Sequence, residues 1–278
     1  MGSLPVATLG PTPSPLLLQL EVALDQGSLV TPAGSSAWDF YQRLSAVEPP
    51  AKELPQLKSR LIDAMLRRSK AVVTGDVRAD NISSNVDDLK VAGQMLTRLH
   101  GLQPDDQEIS RLQKLGAAEA LIALQFYDEA VKALEPLRVP PAGWVENALG
   151  LATAGQLSDY EAERHFKRAV ELEPNWAAPH YNLALLYRTQ KKDGVLAELE
   201  QAARLDQSNP AIMTALGDEL FEAKRWTDAA TAYRAALATR PDDDALHTKL
   251  GHTLYSQGLR SDADKEYQRA KELADRRK

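Results

Sequence analysis

The chain of 278 residues contains no cysteine, so disulfide bonds and thiolate zinc sites are excluded. It also lacks an excess of basic residues. With a formal net charge of −6 it would gain nothing from counterion release, and we expect no nucleic-acid partner. Long apolar runs are missing as well. The longest candidate, residues 16–20, is followed by Glu21 and Asp25, far short of the roughly 20 residues that span a bilayer, so we expect no membrane insertion.

The first 20 residues contain no Lys or Arg. A secretory signal needs a basic segment before its apolar core, and none is indicated here. We therefore favour a cytoplasmic location, while a periplasmic or secreted one stays open if a native N-terminal segment is missing. Pro11, Pro13 and Pro15 predict that residues 1–14 form an extended linker or terminus.

Patterns that would carry chemistry are missing too. The five histidines form no His-x-x-x-His pair, and His247 and His252 lie about 140° apart around a helix. We interpret them as core or surface residues. Segment 75–81 has oxygen ligands without the spacing of a calcium loop, and we interpret it as a turn. The sequence also contains no phosphate-binding glycine loop and no Gly-x-Ser-x-Gly motif. We predict no catalytic site, no metal and no cofactor.

The second half of the chain repeats itself. A leucine followed by glycine or alanine recurs at intervals of 33 or 34 residues, with the leucine at positions 149, 183, 216 and 250. Alanines at 169, 202, 236 and 270 keep the same interval, as do large residues at 166, 199, 233 and 267. Because three separate series share one period, the sequence predicts a stack of similar units.

Within each unit the pattern is helical. Ala162, Phe166 and Ala169 stand at i, i+4 and i+7, which places one apolar stripe on one helix face. Small and large residues alternate along the stripe, so that a neighbouring helix can approach closely beside a bulky side chain. The glycines of the preceding helix, such as Gly150, cost about 1 kcal/mol in helix propensity. We expect a close helix contact to be their reason.

Prolines and capping residues mark the ends of the units. Pro174 and Pro241 cannot continue a helix and should end theirs. Asn209 and residues 242–244 lie where the next helix is expected to begin, and their side chains can accept its free N–H groups.

These residues resemble the tetratricopeptide repeat family. The resemblance rests on Asn182-Leu183-Ala184-x-x-Tyr187, on Ala-x-x-x-Tyr at Ala229/Tyr233 and Ala263/Tyr267, and on Glu173-Pro174 and Arg240-Pro241. It implies an all-α fold, a right-handed superhelical solenoid of antiparallel helix pairs. Residues 143–277 look like four repeats, at 143–176, 177–209, 210–243 and 244–277.

Two features depart from the regular pattern. The second repeat has Val195 and Gln207 where the family has alanine and proline. Upstream, residues 15–141 resemble three degenerate helix pairs, with helices expected at about 15–26 and 54–73 and longer turns between them. The departures concern details of the repeats and leave the fold class unchanged.

The resemblance also implies a peptide-binding groove lined by first-helix residues. Its site residues would be Trp144, Asn147, Tyr181, Arg188, Asp218, Phe221, Thr248, His252 and Tyr255, with Leu151, Leu185 and Thr214 beside them. Alternatively, the aromatic residues among them pack between helices, and we expect Asn182 to be structural. The groove lacks a basic cluster, which argues against binding of acidic chaperone tails.

Three functions remain open from the sequence. The favoured one is a non-catalytic scaffold whose concave groove binds a peptide or protein partner. The second is self-assembly into a homo-oligomer through the ends or convex faces of the stack. The third is that this chain is an accessory or regulatory region of a larger enzyme or sensor.

Overall fold

The computed structural model describes residues 15–31, 33–46, 53–74 and 82–276, and all regular elements within these ranges are helices. The all-α prediction is confirmed. The described helices are α1 Pro15–Asp25, α2 Ala37–Ser45, α3 Leu54–Val73, α4 Ile82–Leu102, α5 Gln107–Ala123, α6 Tyr127–Leu134, α7 Gly143–Gly155, α8 Asp159–Leu172, α9 Ala177–Thr189, α10 Val195–Leu205, α11 Pro210–Glu222, α12 Trp226–Thr239, α13 Asp244–Ser256 and α14 Arg260–Arg276, with a 3-10 helix at Glu135–Arg138 after α6.

The chain divides into two compact units. The first comprises residues 1–71 and 90–113, and the second comprises 72–89 and 114–278. In the first unit α1 packs against α2, whose start is capped reciprocally. The Ser36 hydroxyl accepts the N–H of Asp39, and the Asp39 carboxylate accepts the N–H of Ser36. The predicted linker 1–14 and the predicted turn 75–81 lie outside the described residues.

In the second unit, α7 to α14 pack as four successive helix pairs. Within each pair the two helices are in extensive contact, and the second helix of one pair packs against the first helix of the next. This arrangement confirms the predicted solenoid of antiparallel helix pairs. Each pair lies inside one of the four predicted repeat ranges, and the division of the chain into domains stays a prediction. No helix within the described ranges has an apolar stretch long enough to cross a bilayer.

A glycine facing an aromatic ring sets the distance between the two helices of a pair. A Cβ atom added to Gly217 would lie 2.6 Å from the ring of Tyr233, far inside van der Waals contact. The same clash, at 2.5 Å, would arise between Gly251 and the ring of Tyr267. Gly150 and Phe166 repeat this contact in the first pair, also at 2.5 Å. The predicted close helix contact at these glycines is therefore confirmed.

In the second pair, different residues form the close contact between the two helices. Ala184 stands where the other first helices have glycine, and Leu199 stands where the other second helices have an aromatic ring. Both side chains are buried in the core of the unit. The added methyl group on one helix is thus matched by a smaller side chain on the other, which keeps the interior close-packed.

Helix ends lie where the capping residues predict them. The Asn209 side chain accepts N–H groups of the first turn of α11, and the Asp243 side chain accepts the N–H of Leu246 in α13. Helices α8 and α12 end two residues before Pro174 and Pro241. These caps satisfy backbone donors that have no partner inside their own helix.

A histidine–glutamate bridge recurs between the paired helices. The Nδ1 atom of His180 lies 2.7 Å from the Oε2 atom of Glu198. His247 lies 2.6 Å from Glu266. In the first pair the two residue types exchange helices, so that Glu146 of α7 meets His165 of α8 at 2.7 Å. The third pair has Met213 and Ala232 at the corresponding positions, both buried. The same histidine–glutamate contact therefore joins the two helices in three of the four pairs.

We predict that Ala236→Glu strongly destabilises the second unit. Ala236 is 0% exposed, and a carboxylate there would be buried without a partner. We expect the free energy of unfolding to fall by at least about 3 kcal/mol in denaturant titrations. Ala238→Glu, on the exposed side of the same helix, is the matched control and should change it by about 0.5 kcal/mol or less. Equal melting of both variants would contradict the assigned helix register.

We predict that the Glu146 carboxylate makes stability depend on acid pH. Burial by itself raises the pKa of Glu146, but the hydrogen bond from His165 and the charge of Arg138 outweigh it, so the pKa lies below its usual value. A lowered carboxylate pKa stabilises the fold above the unfolded-state pKa, and this contribution is lost as pH falls through the folded-state pKa. The unfolding free energy of wild type should therefore exceed that of Glu146→Gln at neutral pH and converge with it in acid.

The control for this titration is Glu129→Gln, an exposed carboxylate with no ion pair in the described part of the chain. Its difference from wild type should stay small throughout the titration. A difference between wild type and Glu146→Gln that is constant from neutral to acid pH would contradict the prediction.

Candidate functional site

Three adjoining hollows run along the first helices α9, α11 and α13. The first lies between the start of α9 and the start of α11 and shares Tyr181 and Ala211 with the second. The second shares Arg188, Asp218 and Lys249 with the third. The third hollow is the largest, with a volume of about 630 Å³. We call these three hollows together the groove.

Six of the predicted site residues line the groove. They are Tyr181, Arg188, Asp218, Phe221, His252 and Tyr255. All six lie on the first helices of three consecutive pairs, where spacings of seven or three residues place them on one face of each helix. Thr214, named beside them, lines the second hollow.

The structure does not bring the other three into the groove. Asn147 is only 1% exposed, and its side-chain oxygen accepts a hydrogen bond from Asn182 at 2.8 Å. This hydrogen bond joins the first two helix pairs, and its donor Asn182 lines the first hollow. Trp144 is half-buried near the start of α7, and Thr248 donates to the backbone of its own helix at Asp244.

A charged cluster lies at the centre of the groove. The Lys249 ammonium donates to both oxygens of Asp218, at 2.6 and 2.7 Å. The Tyr233 hydroxyl donates to the same carboxylate at 2.7 Å. Burial, and then the hydrogen bond to Asp218, raise the pKa of Tyr233, so its hydroxyl stays protonated and keeps donating. Asp218 is therefore held by two donors from different helices.

The largest hollow ends in aromatic side chains. Tyr255 is 56% exposed. Phe221 is partly buried and packs against the core of the unit while also lining the hollow. His252 meets the ring of Tyr267 edge-on, and their polar atoms lie 3.2 Å apart. This end offers flat apolar surface next to fixed polar groups, as binding clefts do.

The sequence analysis missed several groove residues. Glu219 and Glu222 line the largest hollow, as does Tyr233, which the repeat pattern explains as a core residue. Glu222 could have been predicted from its spacing, because it stands four residues after Asp218 and therefore on the same helix face. Nothing in the sequence signals that the Tyr233 hydroxyl reaches the groove.

Three cations of the groove pair with carboxylates of the groove: Lys249 with Asp218, Arg188 with Glu219 and Arg240 with Asp243. Among the described residues, no three His, Asp or Glu side chains are grouped so that they could hold a metal ion. Chemically, the groove can hold a chain by stacking, hydrogen bonding and ion pairing.

Comparison with known proteins agrees with this fold. Residues 217–258 match a family model described as TPR repeat, which confirms the predicted resemblance to the tetratricopeptide repeat family. The structure of MamA AMB-1 aligns with a TM-score of 0.50 and 21% identity over 61% of this chain and 94% of that chain. A crystal structure of MamA aligns with a TM-score of 0.51 and 19% identity over 58% and 95%. These identities show a shared fold alone. A search of curated proteins found no match.

Proposed function

We propose that this chain is a non-catalytic scaffold that holds a peptide or protein partner in the groove. One observation carries the proposal: the groove runs across three consecutive first helices and combines exposed aromatic surface with polar side chains. Stacked helix pairs present such a surface for binding an extended or helical segment.

The energetics of the aromatic end support this function. An exposed ring such as Tyr255 contributes little to the fold, yet aromatic residues dominate the binding energy of protein interfaces. The fixed Asp218–Lys249 pair beside it supplies polar groups that need no reordering when a ligand arrives. These two features support a role of the groove in recognition.

We predict that Tyr255→Ala weakens binding of a partner peptide while leaving stability almost unchanged. The probe is the tightest peptide recovered from a randomised display library on the immobilised full chain. Its Kd, measured by fluorescence anisotropy, should rise by about tenfold or more for Tyr255→Ala. Leu18→Ala is the control, because Leu18 is 55% exposed on α1 and lines neither the groove nor the turn patch described below.

Phe221→Ala extends the test to a ring that also contacts the core. We expect it to weaken binding too, with a loss of unfolding free energy below about 3 kcal/mol. A larger loss would mark Phe221 as a core residue. Failure of the library to yield any peptide that binds, or equal effects of Tyr255→Ala and Leu18→Ala, would contradict the proposed function.

Self-association is a second candidate, favoured by a separate observation. Two neighbouring inter-helix turns expose large apolar side chains, which we call the turn patch: Leu124, Phe126, Leu157 and Tyr160. The turns are adjacent, since Gln156 donates to Asp128 across 2.6 Å. Exposed apolar patches of this kind mark interaction sites.

We predict that Leu157→Gly reduces self-association without loss of stability. Leu157 is 87% exposed and has a φ of 60°, a left-handed conformation that glycine adopts freely and leucine does not. Gly258 occupies the same place in the fourth pair. Lys191→Gly, at the equivalent turn outside the patch, is the control. Light scattering that shows a concentration-independent monomer for the wild-type chain would remove this candidate.

A further inference from the structure

The cations of the groove are already paired with carboxylates of the groove. Lys249 contacts both oxygens of Asp218, as described above. The other two pairs are looser: Arg188–Glu219 at 4.0 Å and Arg240–Asp243 at 3.5 Å. A ligand carboxylate entering the groove would have to compete with these internal carboxylates for every cation. The groove is therefore poorly suited to an acidic segment.

Among the three carboxylates of the largest hollow, Glu222 differs from Asp218 and Glu219. It is exposed at the end of α11 and lines the largest hollow. No cation pairs with it among the residues that the structure describes. The wall of that hollow contains two cations and three carboxylates, Asp218, Glu219 and Glu222, so its surplus charge is negative. A carboxylate that faces a cleft without a counter-charge favours a cationic ligand group.

The aromatic rings beside Glu222 favour the same kind of group. The face of an aromatic ring carries partial negative charge and attracts ammonium and guanidinium groups. The Arg260 guanidinium lies 5.8 Å from the ring centroid of Tyr255, so a cation can approach this ring. Arg260 is not part of the hollow's wall, which is formed in part by Tyr255 and Phe221. The hollow thus joins aromatic surface to an unpaired carboxylate.

We propose that the largest hollow binds a lysine or arginine side chain of the partner segment. Glu222 accepts the charged head, and Tyr255 and Phe221 contact the alkyl stem or stack on a guanidinium. The inference rests on the proposed function of the groove and adds the chemistry of the ligand: a segment that presents a basic residue at the aromatic end.

The test uses peptides selected from a randomised display library on the full wild-type chain. Selected sequences should be enriched in Lys and Arg over the unselected library. One selected peptide is then synthesised with a fluorescent label, and each basic residue is replaced in turn by glutamine. At one position this replacement should raise the Kd by about five- to tenfold, the size expected for an exposed ion pair with a cation–π contact.

The variant Glu222→Gln tests whether that basic residue of the peptide binds in the largest hollow. This variant should weaken the basic peptide by a similar factor and leave the Kd of the glutamine-replaced peptide unchanged, which is the signature of a direct pair in a double-mutant cycle. Glu129→Gln is the matched control and should affect neither peptide, because this exposed carboxylate lies on α6, away from the groove. Raising the salt concentration should reduce the difference between the two peptides.

The outcomes separate this inference from the proposed function. If peptides bind and Tyr255→Ala weakens them, but no basic residue is enriched, the inference is wrong and the scaffold function stands. Equal weakening of both peptides by Glu222→Gln also overturns the inference. If no peptide binds at all, the proposed function fails and this inference fails with it. Because Glu222 is exposed, its replacement leaves the fold intact, and a thermal melt checks this.

Discussion

The contact between a small residue on one helix and a bulky side chain on its partner is the constraint on which the second unit depends. Gly217 and Tyr233 show it most clearly, since no Cβ fits between that backbone and that ring. The contact brings the two helices of a pair close enough to share one interior. It also fixes their rotation, because only one face of each helix can meet the other. Residues beside this contact on the first helix, such as Asp218 next to Gly217, then line the groove.

The same contact connects the core with the site. The ring of Tyr233 packs against Gly217, and its hydroxyl reaches Asp218, the next residue along the first helix. Asp218 in turn holds Lys249 from the following pair. A core ring, a groove carboxylate and a neighbouring repeat are therefore linked through three side chains. Charge placement in the groove is thereby tied to the packing that forms the fold, which holds these charged side chains in fixed positions.

Much of the architecture could be predicted because it repeats. A period of 33 or 34 residues, with small and large residues in alternation, indicates paired helices without any knowledge of tertiary contacts. The residues of the groove were harder to predict from the sequence. Asn147 occupies a first-helix position like those that line the groove, yet it is buried against Asn182. The histidine–glutamate bridges also escaped notice, since Glu146 and His165 exchange helices relative to His180 and Glu198.

The sequence by itself determined the helix pairs, their order and the faces on which apolar residues gather, because these depend on spacing within a few turns of one helix. Tertiary structure alone decided which charges remain unpaired in the groove. Lys249 lies 31 residues after Asp218, and whether the two side chains meet depends on how one helix pair stacks on the next. Glu222 has no such partner among the described residues. The charge balance of the groove is thus a property of the stacking, which no local pattern encodes.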